Sequence, residues 1–195
     1  MKVAIIDYKS GNVQSVIFAL KRMGIEANLT SKPEEIIGAD KVIFPGVGEA
    51  STTMRTLKDR SLDKLIPELR QPVLGICLGM QLLCEFSEEN DTQCLGVFPL
   101  TVKKFEPGNT QLKVPHMGWN ILYDIDKSLD QRINNQHMYF VHSYYVEMSD
   151  YNQASCNYVH PFSAIIRKDN FLATQFHPEK SGVYGQIILQ QFIDS

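Results

Sequence analysis

The stretch Gln71-Pro-Val-Leu-Gly-Ile-Cys-Leu-Gly-Met-Gln81 decides the fold of this chain. Within it, residues 73 to 76 form a continuous apolar run, which is typical of a strand buried on both faces. The apolar residues that recur at helical spacing beyond this run are Leu78, Leu82, Leu83 and Phe86. The sequence therefore predicts a buried strand that turns directly into a helix.

Cys77 lies at the junction of the predicted strand and helix. Gly75 and Gly79 stand two residues to either side, where small residues let backbone pass close to a residue held in a strained conformation. This is the layout of a nucleophile elbow with sulfur in place of oxygen. The helix N-terminus favours the thiolate, which is the attacking form. Most free cysteines are small buried hydrophobic residues, and a G-x-C-x-G pattern alone leaves that alternative open.

A second motif, Gln175-Phe-His-Pro-Glu-Lys180, favours a catalytic function for Cys77 over a purely structural one. Pro178 favours an extended conformation at His177, and residues two apart in an extended chain point to the same side. Glu179 can then accept a hydrogen bond from one ring nitrogen and leave the other nitrogen facing a thiol. An isolated His-Pro-Glu is more often a solvated turn. Together with the elbow cysteine, it predicts a triad of Cys77, His177 and Glu179.

The length and composition are those of a soluble globular protein. Of the 195 residues, 44% are hydrophobic and 21% are charged, and the formal net charge is −3. This charge gives no basis for binding nucleic acid or an anionic membrane surface. No apolar stretch approaches the ~20 residues of a membrane span, and the N-terminus lacks a signal-peptide pattern. We expect a single cytoplasmic domain over residues 1–195.

The cysteines and the remaining histidines do not indicate a metal site. The four cysteines form no C-x-x-C pair and have no histidine at zinc-ligand spacing, so we expect free thiols, no metal and no cofactor. Histidines in strands are more often packed or surface residues than catalysts. The histidines in this class are His116, His137, His142 and His160, of which His142 is adjacent to the site at most.

The order of predicted elements indicates an α/β fold. Apolar strand segments at 2–7, 26–30 and 41–44 alternate with helical spacing at 13–23 and after residue 31. This alternation implies a parallel sheet with helices on both faces. Between residues 95 and 174, short strand patterns predict an antiparallel β extension, and residues 181–192 predict a closing helix. We therefore predict an open, mainly parallel sheet flanked by helices with an antiparallel β extension.

The glycine-rich segment Pro45-Gly-Val-Gly-Glu-Ala50 follows the third predicted strand. Ligands of open α/β sheets bind beyond the carboxyl ends of the strands. The segment matches no nucleotide-binding pattern. Its two glycines leave backbone N–H groups uncovered, which suits an oxyanion hole beside Cys77, although a simple tight turn is the alternative.

These motifs resemble those of the class I glutamine amidotransferases, whose fold is flavodoxin-like. The segments that carry this resemblance are Gly75-Ile-Cys-Leu-Gly-Met-Gln81, Pro45-Gly-Val-Gly48 and His177-Pro-Glu179. Three more segments resemble the glutaminase subunits of imidazole glycerol phosphate synthase: Asp7-Tyr-Lys-Ser-Gly-Asn12, Pro115-His-Met-Gly-Trp-Asn120 and Tyr139-Phe-Val-His-Ser-Tyr144. The segment around Trp119 discriminates best, because all class I glutaminases share the elbow and the triad. Lys9 departs from the glycine that is usual in the family.

The resemblance implies a role for each matching residue. It implies that the triad hydrolyses glutamine to glutamate and ammonia. The residues implied to form the oxyanion hole are Gly46, Val47 and Leu78. Those implied to bind the substrate are Gln81, Glu89, Ser143 and Tyr144, and those implied to meet a partner are Lys180, Trp119 and Asn12. The implied partner is a (β/α)₈-barrel cyclase subunit in a heterodimer. It uses the ammonia to make imidazole glycerol phosphate and aminoimidazole carboxamide ribotide in histidine biosynthesis.

Two alternatives remain open at this point. The chain could be the glutaminase of another class I amidotransferase, serving purine, pyridoxal phosphate or aminobenzoate synthesis. It could also be a non-enzymatic module that uses the elbow thiol as a redox sensor, although a sensor needs no general base.

Overall fold

The computed structural model describes residues 1–8, 13–109 and 111–195. Its central sheet has seven strands. From one edge to the other they are β2 (Ala27–Thr30), β1 (Val3–Ile6), β3 (Lys41–Gly46), β4 (Val73–Cys77), β13 (Phe171–Thr174), β12 (Pro161–Lys168) and β11 (Asn152–Asn157). The first five are parallel, and β12 and β11 add two antiparallel pairings at the far edge.

Helices cover both faces of this sheet. They are α1 (Val13–Arg22), α2 (Pro33–Ile37), α3 (Ala50–Asp59), α4 (Leu62–Leu65), α5 (Leu78–Leu83) and α6 (Gly182–Asp194). Side chains alternate between the faces along each strand. In β1, Val3 and Ile5 enter the core beneath α1 and α6, whereas Ala4 and Ile6 enter the core beneath α2 to α5. The predicted mainly parallel sheet with flanking helices is confirmed.

Two smaller β structures stand beside the central sheet. One is a four-stranded sheet in the order β10 (Tyr144–Val146), β7 (Phe98–Lys104), β5 (Cys84–Ser87) and β6 (Thr92–Gln93). The other is an antiparallel ribbon of β8 (His116–Ile121) and β9 (His137–His142). They contain the first half of the predicted β extension, whereas its last strands, β11 to β13, belong to the central sheet. Among the described residues, no helix has the length and apolar character that crossing a membrane requires.

Two local expectations were wrong. Phe86 does not continue the elbow helix, because α5 ends at Leu83 and residues 84–87 pair with β6 and β7. Strand pairing here overrides an apolar spacing that fits a helix. Residues 171–174 pair antiparallel with β12, as expected of the β extension, but they do not lie apart from the parallel sheet, since β13 also pairs parallel to β4. That pairing places the segment before His177 directly beside the elbow strand.

The elbow depends on close backbone packing at its two glycines. A Cβ at Gly79 would overlap the carbonyl oxygen of Phe44 in β3, and one at Gly75 would lie 2.8 Å from Leu83 Cδ1. Real Cβ atoms do not occupy such positions, so α5 can lie against β3 and β4 only because these residues lack a side chain. The reason given above for two flanking glycines is confirmed.

We predict that Gly79→Ala destabilises the protein by about 3 kcal/mol or more, because the new methyl group meets backbone that cannot move aside. Gly96→Ala is the matched control: Gly96 has φ of 71° but nothing within 4 Å of an added Cβ. That change should cost only the left-handed strain of about 1–2 kcal/mol. Urea unfolding of both variants measures the difference. Equal losses of unfolding free energy in the two variants would show that the elbow does not require the close contact between Gly79 and the Phe44 carbonyl.

Candidate active site

Cys77 occupies a strained position between β4 and α5. Its φ and ψ are 54° and −108°, which a non-glycine residue adopts only at a cost of about 1–3 kcal/mol. The side chain is buried but points toward groups of two other segments. Its Sγ lies 3.8 Å from the carbonyl oxygen of Val141 and 3.9 Å from Nε2 of Gln175. The predicted elbow geometry is therefore present.

His177 and Glu179 form a hydrogen-bonded pair beside the cysteine. His177 is extended, as the following proline predicts, with φ and ψ of −97° and 95°. Its Nδ1 is 2.8 Å from Oε1 of Glu179, and both side chains are 2% exposed. The reason given for this contact was wrong, however. Glu179 lies in a 3₁₀ turn, Pro178–Lys180, so the turn and not an extended chain brings the carboxylate back to the ring.

The groups around His177 favour the protonated form of its ring. Burial alone lowers the pKa of His177, but the adjacent Cys77 and Glu179 together raise it above its usual value of 6.5. Nε2 of His177 is buried and makes no hydrogen bond within the described part of the chain. An imidazolium with one nitrogen held by a carboxylate and the other beside a thiolate can deliver a proton to a leaving group.

The turn Pro178–Lys180, which we call the catalytic turn because it carries Glu179 of the predicted triad, is held against β9 by the hydroxyl of Ser181. The backbone N–H of His177 donates to the Tyr139 carbonyl at 2.9 Å. Ser181 Oγ donates to the His177 carbonyl at 2.6 Å and accepts from the Tyr139 N–H at 3.0 Å. Gly185 lets α6 approach, because a Cβ there would overlap the Pro178 carbonyl. Sequence reasoning missed Ser181 and Gly185, because only the tertiary contacts show their function.

The glycine-rich loop borders the elbow. Gly46 is level with Cys77 in the pairing of β3 and β4, and Leu78 begins α5 next to it. A Cβ at Gly46 would lie 2.6 Å from the Tyr8 hydroxyl, which itself donates to the Pro45 carbonyl at 2.5 Å. Val47 follows directly. Gly48 has φ of 122° and nothing within 4 Å of an added Cβ. The structure thus gathers the predicted oxyanion residues at Cys77.

Two of the predicted substrate-binding residues, Gln81 and Tyr144, are in direct contact. Gln81 Nε2 donates to the Tyr144 carbonyl at 3.0 Å, and the carbonyl of Ser143, which precedes Tyr144, accepts from a backbone N–H of the loop after β7. Glu89 accepts from the Ala50 N–H at 2.8 Å. Burial raises the pKa of Glu89, and the neighbouring Glu49 adds to this effect while the Ala50 N–H opposes it.

Sequence reasoning missed Glu49. Its carboxylate caps α3 by accepting from the Ser51 and Thr52 N–H groups at 2.7 and 3.0 Å. Burial raises its pKa, but these hydrogen bonds and one from Asn90 prevail and lower it to about 2. The signal was a glutamate one residue before a helix, which is an N-cap position that more often holds Ser, Thr, Asp or Asn.

An apolar stripe lies on the outer face of β8, close to the catalytic turn. Met117, Trp119 and Ile121 alternate along the strand and are 66%, 57% and 40% exposed. The Trp119 and Tyr139 rings meet edge to face at 5.9 Å, and Lys180 Nζ lies 5.9 Å from the centre of the Tyr139 ring. Two of the predicted partner-facing residues are therefore neighbours. The third, Asn12, and the divergent Lys9 lie outside the described residues.

Two histidines form a buried chain next to the site. His116 Nδ1 is 2.9 Å from His142 Nε2, and His142 Nδ1 is 2.7 Å from the Tyr144 carbonyl. Burial lowers the pKa of His116 to about 4 and that of His142 to about 3. Both rings are therefore neutral at pH 7, packed as the sequence predicted. Within the described ranges, no three His, Cys, Asp or Glu side chains could together hold a metal ion.

The whole chain is similar to proteins of known families. A family model described as glutamine amidotransferase class-I matches residues 4–195. A curated protein of Bacteroides fragilis, imidazole glycerol phosphate synthase subunit HisH, is 55% identical over 195 residues, which is 100% of both chains. A protein of the same name from Idiomarina loihiensis is 42% identical over 194 residues, covering 100% of this chain and 98% of its own.

Solved structures share the fold at low sequence identity. A crystal structure described as a glutamine amidotransferase superposes with a TM-score of 0.76 at 21% identity, covering 98% of this chain and 97% of its own. A glutamine amidotransferase from Thermotoga maritima superposes with a TM-score of 0.62 at 15% identity, covering 100% of this chain and 83% of its own.

The two neutral histidines should make stability fall in mild acid. Unfolding lets each take up a proton near pH 6.5, whereas the folded state resists until about pH 4 or below. The free energy of unfolding should therefore drop as pH falls from 6.5 to 4, by up to ~1.4 kcal/mol per pH unit for each histidine.

We predict that His116→Phe, which keeps an aromatic ring in place, reduces the slope of the unfolding free energy against pH. The reduction should correspond to about one proton fewer taken up on unfolding, or ~1.4 kcal/mol per pH unit at most. His137→Phe changes an exposed histidine of the same ribbon and is the matched control, with a wild-type slope expected. Urea unfolding at several pH values measures both. A wild-type slope in His116→Phe would contradict the assignment.

Proposed function

The chain belongs to the class I glutamine amidotransferases, and from this premise we propose that it is the glutaminase subunit of an imidazole glycerol phosphate synthase. The observation that carries the proposal is the buried His177–Glu179 pair, joined at 2.8 Å, beside a cysteine on a strained elbow. The 55% identity over full length to a relative named as a subunit of that synthase supports the choice among class I enzymes.

In the proposed reaction, the Cys77 thiolate attacks the side-chain amide carbon of glutamine. The oxyanion that forms accepts hydrogen bonds from the backbone N–H groups of Val47 and Leu78, with Gly46 giving the loop its close approach. His177 then transfers its proton to the amide nitrogen, the C–N bond breaks, and ammonia leaves a thioester on Cys77. His177, now neutral, takes a proton from water as that water attacks the thioester, and glutamate is released.

Glu179 holds the imidazole in the orientation that both steps require. Its hydrogen bond fixes the proton on Nδ1 and leaves Nε2 to exchange protons with sulfur, leaving group and water. The glutamine backbone would lie toward Gln81, Glu89, Ser143 and Tyr144. There the carboxylate of Glu89 suits the substrate ammonium group, and exposed peptide groups suit its carboxylate.

We further propose that residues 1–195 act as one amidotransferase domain in the cytosol, in a heterodimer with a (β/α)₈-barrel cyclase. Trp119 and its apolar neighbours on β8 offer the partly exposed aromatic contact that is enriched at protein interfaces. Lys180 follows Glu179 directly, so an acidic residue of the partner that paired with it would act on the catalytic turn. The barrel would turn the ammonia into imidazole glycerol phosphate and aminoimidazole carboxamide ribotide.

The same proposal includes a switch in the loop after β3. The Gly46–Val47 peptide can turn its N–H toward or away from the oxyanion position, and docking of the liganded partner would favour the productive orientation. One oxyanion donor is worth about 10²–10³ in rate, so a single peptide is sufficient for such a switch. Gly48, which already has φ of 122°, is the residue free to absorb the change.

We predict that Cys77→Ala abolishes glutamine hydrolysis while the complex with the barrel still makes product from ammonium salts at alkaline pH. His177→Ala should lose nearly as much activity, and Glu179→Gln less, since it orients the base without being it. Cys156→Ala, which removes another buried thiol, is the control and should keep activity. A glutaminase assay with the partner present measures all four variants.

The outcomes separate the alternatives. Full activity of Cys77→Ala would refute the mechanism, and failure of ammonium rescue in an assembled complex would mean that Cys77 does more than release ammonia. Glutamine hydrolysis without assembly on the cyclase would favour another class I amidotransferase. A folded protein that never hydrolyses glutamine but oxidises reversibly at Cys77 would favour a redox sensor.

For the loop, we predict that Gly48→Ala lowers partner-stimulated hydrolysis by about tenfold or more, because alanine disfavours a φ of 122° and biases the neighbouring peptide. Gly108→Ala is the matched control, since Gly108 also has positive φ, 55°, with open space around it. Hydrolysis by each variant is measured with and without liganded partner. High activity of the isolated wild-type subunit, or full stimulation of Gly48→Ala, would rule the switch out.

A further inference from the structure

Two buried glutamine side chains, Gln175 and Gln81, form a hydrogen-bonded run that begins at Cys77. Gln175 is fully buried, and its Nε2 lies 3.9 Å from Cys77 Sγ. Its Oε1 accepts from Gln81 Nε2 at 3.1 Å, and the same Gln81 nitrogen donates to the Tyr144 carbonyl at 3.0 Å. Gln175 thus contacts the reacting sulfur from the same segment as His177, two residues before it, with a side chain that is not part of the triad.

The hydrogen-bond partners fix the direction of this run. A backbone carbonyl can only accept, so the Gln81 atom facing Tyr144 must be the amide nitrogen. That nitrogen also faces Gln175, whose contacting atom must therefore be its oxygen. The NH₂ group of Gln175 is then left facing Cys77. The orientation of both amides follows from one peptide carbonyl, although oxygen and nitrogen look alike in an amide side chain.

The carbonyl at the end of the run is held from its other side by the histidine chain. His142 Nδ1 donates to it at 2.7 Å, and His142 Nε2 accepts from His116 Nδ1 at 2.9 Å. Asn120 Nδ2 lies 3.2 Å from His116 Nε2 and also donates to the Asn157 carbonyl at 2.9 Å. These contacts fix the tautomers of both rings, which burial keeps neutral, and they hold the Tyr144 carbonyl in place.

We propose that Gln175 is a second hydrogen-bond donor to the Cys77 sulfur, positioned by Gln81 and the Tyr144 carbonyl, and that it stabilises the thiolate during catalysis. The inference rests on the proposed function. In the first step the donor helps to form the attacking thiolate. In the last step the C–S bond of the tetrahedral intermediate breaks and sulfur leaves with the electron pair, so the same N–H group stabilises the leaving group.

The geometry suits this function better than substrate binding. Gln175 has no exposed surface, so a glutamine that enters from solvent does not meet its amide. The titratable groups described near Cys77 are His177, with Glu179 behind it, and the neutral His142, whose pKa is lowered by burial and further by the charge on His177. Of these only His177 is cationic. A neutral donor adds stabilisation that remains after His177 has given its proton away.

The test compares Gln175→Met, which removes the donor, with Gln175→Glu, which keeps the shape and the acceptor for Gln81 but has no N–H. The rate of Cys77 alkylation by iodoacetamide is followed against pH by mass spectrometry of the Cys77 peptide. In both variants the pH of half-maximal rate should rise by about one unit or more. With glutamine, kcat should fall about tenfold and KM should change little. Gln191→Met is the matched control, because Gln191 also donates and accepts one hydrogen bond, at 2.7 and 3.0 Å, far from Cys77.

An unchanged alkylation profile in either folded variant would overturn the inference. A measurement on the wild-type chain covers the case in which neither variant folds. The side-chain ¹H–¹⁵N resonances of Gln175 should shift as Cys77 is titrated, and resonances that do not move would also overturn it. Alkylation and NMR need no glutamine. A shifted profile without glutamine hydrolysis would therefore uphold the contact and reject the proposed function instead.

Discussion

The strained backbone at Cys77 is the constraint on which the rest of the structure depends. A positive φ at a non-glycine residue persists only where neighbouring packing imposes it. Here α5 lies against β3 so closely that Gly79 has no room for a methyl group beside the Phe44 carbonyl. β4 is buried on both faces, so the strand cannot relax by shifting. Packing of the two hydrophobic cores thus offsets the backbone strain and holds the Cys77 thiol at the carboxyl edge of the sheet.

The second constraint is the parallel pairing of β13 with β4, because it brings a segment a hundred residues away to the same edge. From there the 3₁₀ turn folds Glu179 back onto His177, and Ser181 ties the turn to β9. The same ribbon carries the exposed Trp119, whose ring meets that of Tyr139. The surface that we propose for a partner and the segment that holds His177 are therefore connected through the same ribbon.

The buried amides and imidazoles next to Cys77 form hydrogen bonds whose donors and acceptors are all set by their neighbours. In a low-dielectric interior an unpaired donor or acceptor is costly, so each amide and imidazole there takes the orientation that its neighbour dictates. The Tyr144 carbonyl orders both the glutamine run toward Cys77 and the histidine chain toward Asn120. Low pKa values of His116 and His142 follow from the same burial, and they keep this network uncharged where His177 is charged.

The sequence by itself determined the alternating strands and helices and the elbow at Cys77, since these depend on local periodicity and glycine. It also predicted the contact of His177 with Glu179, but not the 3₁₀ turn that forms it. It could not determine that residues 171–174 join the parallel sheet, that Phe86 leaves the helix, that Gln175 and Ser181 contact Cys77 and His177, or that Glu49 caps α3. Those facts depend on strand pairing and contacts between distant segments, and only tertiary structure decides them. The sequence pattern for a buried strand is the same whichever neighbour it pairs with, and a glutamine gives no local sign that its amide will face a sulfur atom.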